Sequence, residues 1–287
     1  MQLLGLSVLF LLLAGRGIAM STADRGPPLN HDVAARNASW SPRSVGHHCP
    51  LRPKHAIKKG NPKFQSQLGQ DQLVSLLLGE KREGYFVDLA ANDPVCISNS
   101  YALEQYWGWQ GLCIEGNPRY IPHLQARRAC TVVHSAVDSE PNRTVQFRVD
   151  NNFLGGIVSP ELNNARARGK VITLQTRTLQ EILDTNCAPP VIDYLSLDVE
   201  GAEWRVLGHF PFSQYQFRLM TVERPTKQLA DVLRRQGYTR ARSLGAKKWG
   251  EEVWLSRTFR HSLNPAQLKA LDTFKPNRNR VQDCPKR

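Results

Sequence analysis

Several signatures are missing from this chain. It has no G-x-G-x-x-G turn, no P-loop and no G-x-S-x-G elbow. Those absences disfavour hydride transfer from a nicotinamide cofactor, nucleotide hydrolysis and α/β-hydrolase chemistry. Its six cysteines include no C-x-x-C pair, so no structural zinc site is expected. Acidic residues are scarce, 25 against 38 lysines and arginines, for a net charge of +13. Such a balance suits acidic partners such as acidic or sulfated glycans and phosphorylated lipids. No zinc-finger, RNP-type or Arg-Gly signature accompanies it, so nucleic acid is not the expected partner. The apolar run Leu3 to Ala14 is too short to cross a bilayer comfortably.

That run, followed by the small residues Gly17 and Ala19, reads as a secretory signal peptide over 1–19, although no Lys or Arg precedes it. An uncleaved signal-anchor is the alternative, and would be the only membrane association expected. The triplets Asn37-Ala38-Ser39 and Asn142-Arg143-Thr144 are glycosylation acceptors. Both agree with a secretory-pathway or secreted location. Six cysteines allow 15 full pairings. Cys113 and Cys130 lie in apolar runs that suit buried free thiols, while Cys49 and Cys284 flank the domain and are placed to pair across it. Residues 20–63, rich in Pro, Arg, Ser and His, read as a poorly ordered stem. A single domain follows over 64–257, and 258–287 form a basic, partly helical tail.

Within the domain, apolar strand-like runs alternate with helical ones. Gly84 to Ala90, Gly111 to Glu115, Cys130 to Val137, Val191 to Leu197 and Phe217 to Glu223 read as strands. Thr178 and Thr226 mark helix starts. The pattern predicts a doubly wound, mostly parallel α/β sheet, closed by an antiparallel pair of strands from Gly237 to Leu244 and Glu251 to Ser256. Two short β-like runs between Thr144 and Thr176 interrupt the alternation, as an inserted lid over the strand ends would.

The chemistry gathers at strand ends, where ligands bind in open α/β sheets. Val191 to Trp204 reads VIDYLSLDVEGAEW, an apolar run that ends in Asp198, Glu200 and Glu203 around Gly201. Glu203 suits a helix start. Asp88 ends the first strand and Glu115 the second, 27 residues later. A carboxylate in the second position offers two acceptor oxygens to the two vicinal hydroxyls of a ribose. A ribose-bearing ligand without a phosphate cradle points to S-adenosylmethionine.

The strings FVDLAAN (Phe86 to Asn92), CIEGNP (Cys113 to Pro118) and LDVEGAE (Leu197 to Glu203) resemble, in order, the signature of FkbM-type methyltransferases. Thr221-Val222-Glu223-Arg224-Pro225 and Trp249 to Trp254 extend the likeness to roughly Tyr85 to Ser256. The resemblance implies a class I, Rossmann-like methyltransferase fold, S-adenosylmethionine as cofactor, and O-methylation of a hydroxyl, often on a sugar. It places Asp88 and the turn Ala90 to Asn92 at the methionine part of the cofactor and Glu115 at the ribose. Ser135 to Val137 would flank the adenine, with Asp138 at its amino group. Asp198 and Glu200 would lie beside the methyl group and the acceptor, which the basic surface suggests is a glycan, in particular an acidic one. Asp198 or Glu200 is then the candidate base, with His134 or His209 as alternatives. The pair Asp198/Glu200 could hold a divalent cation, but no third ligand is evident in the sequence, so none is expected. The chain departs from the pattern at Ala90 and Pro94, where the family usually has glycine. The alternative reading is therefore a methyltransferase-like binding or trafficking module without catalysis.

Overall fold

The computed structural model describes residues 56–149, 155–162, 168–246 and 250–276. The signal peptide, most of the stem, Asn37, Cys49 and Cys284 lie outside them. Among the described residues no helix is long and apolar enough to cross a membrane.

Seven strands form the main sheet: β1 (Tyr85–Leu89), β2 (Gln110–Glu115), β3 (Thr131–His134), β8 (Val191–Leu197), β9 (Gln216–Glu223), β10 (Tyr238–Leu244) and β11 (Glu251–Ser256). Their order is β10-β11-β9-β8-β1-β2-β3. The run from β9 to β3 is parallel, and β11 lies antiparallel between β9 and β10. Parallel strands are covered on both faces, which is why Phe86 to Leu89 and Ile192 to Leu197 are buried at every position. One face packs under α4 (Leu179–Thr185), α5 (Glu203–Leu207) and α6 (Lys227–Arg235), with Leu183, Val206 and Leu233 in its core. The other is covered by α1 (Gln70–Leu77), α2 (Tyr101–Trp107) and α3 (Ile121–Arg127). Thr178 and Thr226 cap α4 and α6, each accepting a backbone N–H three residues on, as the sequence predicts.

Three expectations change. The run Cys130 to Val137 is not one strand. It breaks at Ser135, and β4 (Ala136–Val137) joins a second, four-stranded sheet with β5 (Thr144–Arg148), β6 (Gly156–Ile157) and β7 (Val171–Arg177). An apolar run shows that a strand is buried, not which sheet it joins. Second, Cys113 and Cys130 form a disulfide, with Cα atoms 5.9 Å apart, rather than remaining free thiols. β2 and β3 are neighbours in register, which brings the two side chains together. Cys96 and Cys187 are disulfide-bonded as well, and no described cysteine is free. Third, the domain does not end at 257. Helices α7 (Arg257–Ser262) and α8 (Pro265–Thr273) follow, and Phe259, Leu263, Leu271 and Phe274 are buried in the second core face. Asn264 and Gln267 close a reciprocal capping box that fixes the start of α8. The basic composition of this segment hides its apolar spacing.

Candidate active site

The C-terminal ends of β1, β2, β3 and β8 open onto a cavity lined among others by Leu89, Ala90, Gly116, Ser135, Phe147 and Val199. Phe147 belongs to the second sheet, so the insertion does close over the strand ends. Its ring lies so near Gly116 that a Cβ there would stand 2.5 Å from it. Glycine is required by this approach.

Glu115 stands beside the cavity, between the lining residues Ile114 and Gly116, with 4% exposure. One carboxylate oxygen accepts the Asn92 N–H at 2.8 Å and the other the Asn117 N–H at 2.7 Å. The Gly116 N–H reaches the carboxylate as well, so one acceptor site is left for a ligand hydroxyl. Burial raises its pKa to about 7 against the pull of these amides. The turn that supplies the Asn92 amide takes its left-handed conformation at Asn92, φ 52°, not at Ala90 or Pro94. Asparagine tolerates that region, so the missing glycines leave no strain here. Ala136, Val137 and Ile157 make one side of the cavity apolar, and Ser135 is tied down, its N–H donating to the Glu115 carbonyl and its hydroxyl to the Ala136 carbonyl.

Asp88 points inward. Its carboxylate accepts from the Ser100 hydroxyl, and Ser100 is also held by Arg128 at 2.8 Å. Arg128 is buried, pairs with buried Glu104 at 3.2 Å, and donates to Ser98 and to the Pro94 carbonyl. Burial pushes the Asp88 pKa up, opposed chiefly by the Arg128 charge. Asp88 therefore braces the turn from behind. Asp138 is equally occupied: the Arg205 guanidinium grips both of its oxygens, and the Ser139 N–H adds a third bond.

The acids after β8 divide. Glu203 begins α5, and one of its oxygens accepts the Val199 and Gly201 N–H groups at 3.2 Å each, folding the loop around itself. Asp198 and Glu200 face the strand-end edge, Glu200 with φ 56°. There the structure supplies a third carboxylate, Glu223 at the end of β9. One oxygen from each of Asp198, Glu200 and Glu223 lies within 4.8 Å of the others. Arg224 reaches Glu200 at 3.4 Å and Glu223 at 2.7 Å. Burial, then Glu223, Glu251 and Glu200, push the Asp198 pKa well above the usual carboxylate range. Glu251 starts β11, opposite Glu223 in register. Neither Glu223 nor Glu251 stood out as a site residue in the sequence. Glu223 carried the signal that marked Asp198, an acid ending an apolar strand.

The histidines are not brought to this edge. His134 ends β3, exposed, with its Nε2 against the Gly116 carbonyl at 3.0 Å. β3 is three strand spacings from β8, about 14 Å. His209 is exposed beyond α5, edge-on to Trp204.

With this geometry in place, the comparisons with known proteins can be read. The family described as the methyltransferase FkbM domain matches residues 88–239. That is over half of the chain, and the chain belongs to this family. It is a methyltransferase by family, and its sheet order, with one antiparallel strand inserted between β9 and β10, is that of a class I methyltransferase domain. Among solved structures, the METTL16 methyltransferase domain is similar at 12% identity and a TM-score of 0.40, covering 64% of this chain and 65% of that one. A precorrin-6y C5,15-methyltransferase from Geobacter metallireducens GS-15 is similar at 10% identity and a TM-score of 0.39, covering 69% and 93%. This chain thus spans just under two thirds of the METTL16 domain. No curated protein matches the chain in sequence.

The cavity and Glu115 fit S-adenosylmethionine, the donor that the family implies. An apolar slot lies beside a carboxylate that keeps acceptor capacity for a ligand hydroxyl.

Proposed function

We propose that this chain transfers the methyl group of S-adenosylmethionine to a hydroxyl oxygen of a glycan in the secretory pathway. The observation that carries the reading is the pairing of the cavity beside Glu115 with the carboxylate edge at Asp198 and Glu200, which meet at Val199. The donor, when bound, supplies a methyl group made electrophilic by the adjacent sulfonium. Glu115 holds the ribose end. The Asn92 turn, braced by Asp88, Ser100 and Arg128, fixes the other end, so the methyl group and the acceptor oxygen are aligned. The carboxylates at the Asp198/Glu200 edge would take the proton of the acceptor hydroxyl as transfer proceeds.

Two observations support the secretory setting. Every described cysteine is oxidised, as befits an oxidising compartment. Asn142, the acceptor of the second glycosylation triplet, is exposed in the turn before β5. The net charge of +13 favours an acidic glycan, so transfer to sulfated or uronic acid-bearing glycans should exceed transfer to neutral ones and should weaken with salt.

Thermal unfolding with S-adenosylmethionine or S-adenosylhomocysteine tests the reading. Ligand at about 100 times its dissociation constant stabilises by roughly 2.7 kcal/mol. That raises the melting temperature by about 5 °C or more for a domain of this size. Glu115→Ala should abolish the rise. No rise with folded wild-type chain would instead support the non-catalytic binding module.

A further inference from the structure

The carboxylate edge gathers several acids around one guanidinium. Four acids meet there, Asp198, Glu200, Glu223 and Glu251, because β11 runs antiparallel and begins where β9 ends. Arg224 answers Glu200 and one oxygen of Glu223. Gln70 donates to one oxygen of Glu251. The second oxygens of Glu223 and Glu251 are buried without a hydrogen-bond partner, in residues only 8% and 4% exposed. A buried carboxylate oxygen left unmet is costly, so groups like these persist where something else meets them.

We infer that Asp198, Glu200 and Glu223 bind a small, hard divalent cation of the Mg²⁺ or Mn²⁺ type. The donor set is oxygen only, which selects hard cations over zinc or copper. The spacing fits: opposite oxygens about 2.1 Å from an ion are about 4.2 Å apart, and the three oxygens here lie within 4.8 Å of one another. Small side-chain rotations close the difference. Three carboxylates leave coordination positions open. The site deepens the methyl-transfer reading and, for this part, rests on it: an acceptor hydroxyl that joins the open coordination becomes more acidic in place and passes its proton to an uncoordinated oxygen of the same carboxylate edge. It also favours acceptors that present two neighbouring oxygens.

The test measures the cation directly. The purified full chain, stripped with EDTA and desalted, is titrated with Mn²⁺, and free Mn²⁺ is read by electron paramagnetic resonance. One saturable Mn²⁺ per chain, displaced by Mg²⁺, is expected. Glu223→Gln and Glu200→Gln should each weaken binding at least tenfold, while Asp231→Asn, at a half-buried acid on α6 paired with Lys227 and Arg234, leaves it unchanged. Arg224→Gln should tighten it severalfold, because the guanidinium competes for two of the ligands. The inference is overturned if the wild-type chain shows no saturable site, or if both glutamate variants bind as it does. Should Glu223→Gln fail to fold, Glu200→Gln and Arg224→Gln decide the matter. Thermal shifts with S-adenosylmethionine on the same samples separate the two readings. A shift without Mn²⁺ binding removes only the cation site, and Mn²⁺ binding without a shift removes only the donor.

Discussion

Two corners of one sheet edge treat their carboxylates in opposite ways. At the end of β2, both oxygens of Glu115 are met by backbone N–H groups from two separate turns. At the ends of β8 and β9 and the start of β11, carboxylates face carboxylates, and two oxygens have no partner. The first corner is finished before any ligand arrives, since backbone amides cannot rotate away. The second is not finished in this way. Backbone preorganisation and carboxyl groups set against one another thus mark two different corners of one edge.

The largest test of this contrast is structural. The Glu115 corner rests on the buried Arg128–Glu104 pair behind the Asn92 turn. Arg128→Ala takes the guanidinium from buried Glu104, which keeps the Cys130 N–H, and should cost about 3–5 kcal/mol in urea unfolding. Replacing both residues with apolar ones of similar size should recover most of that stability, while leaving the turn without its anchor at Pro94. Cofactor affinity would then stay low although the fold has returned.

A second test uses pH. Glu115 titrates near 7, and its ionised form is the better acceptor for ribose hydroxyls. Affinity for S-adenosylmethionine, measured by calorimetry, should therefore rise up to about tenfold between pH 6 and pH 8, as the ionised fraction grows. Glu115→Gln should flatten the profile at low affinity. A flat wild-type profile would remove Glu115 from the ribose.

The smallest effect concerns Glu203, the acid at the carboxylate edge that the backbone does answer. Its pKa is raised to about 7, first by burial. Because the folded value lies above the unfolded one, its stabilising contribution is complete below the unfolded pKa of about 4.5 and is lost as pH rises through 7. The EDTA-treated, ligand-free chain should lose about 1 kcal/mol from this group between pH 6 and pH 8. Glu203→Gln keeps an oxygen for the Val199 and Gly201 amides and should remove that part of the slope in denaturant melts.

The central strands and their order of appearance were legible because parallel strands buried on both faces are written as unbroken apolar runs. Glu115 and Asp198 were legible as acids ending such runs. Glu251 was not, since it begins its strand, and only the reversed direction of β11 brings it to the same edge. Asp88 and Asp138 lie near the positions the motifs imply, but sequence does not show that Ser100 and Arg205 already occupy their carboxylates. The Cys113–Cys130 bond depends on β2 and β3 being neighbours in register, and spacing alone does not fix register. The helices after 257 were obscured by their charge.

The placement of β11 has a consequence for how the molecule is made. It is the last strand among the described residues, yet it lies between β9 and β10. While residues 224–250 are being synthesised, the edge of β9 has no native neighbour, and its backbone groups stand open beside a strand whose interior is entirely apolar or threonine from Leu219 to Val222. At ribosomal speeds of about 5–20 residues per second, that exposure lasts seconds. Until β11 enters, that edge of the sheet is incomplete, and only then does Glu251 join the acids that β8 and β9 have already brought together.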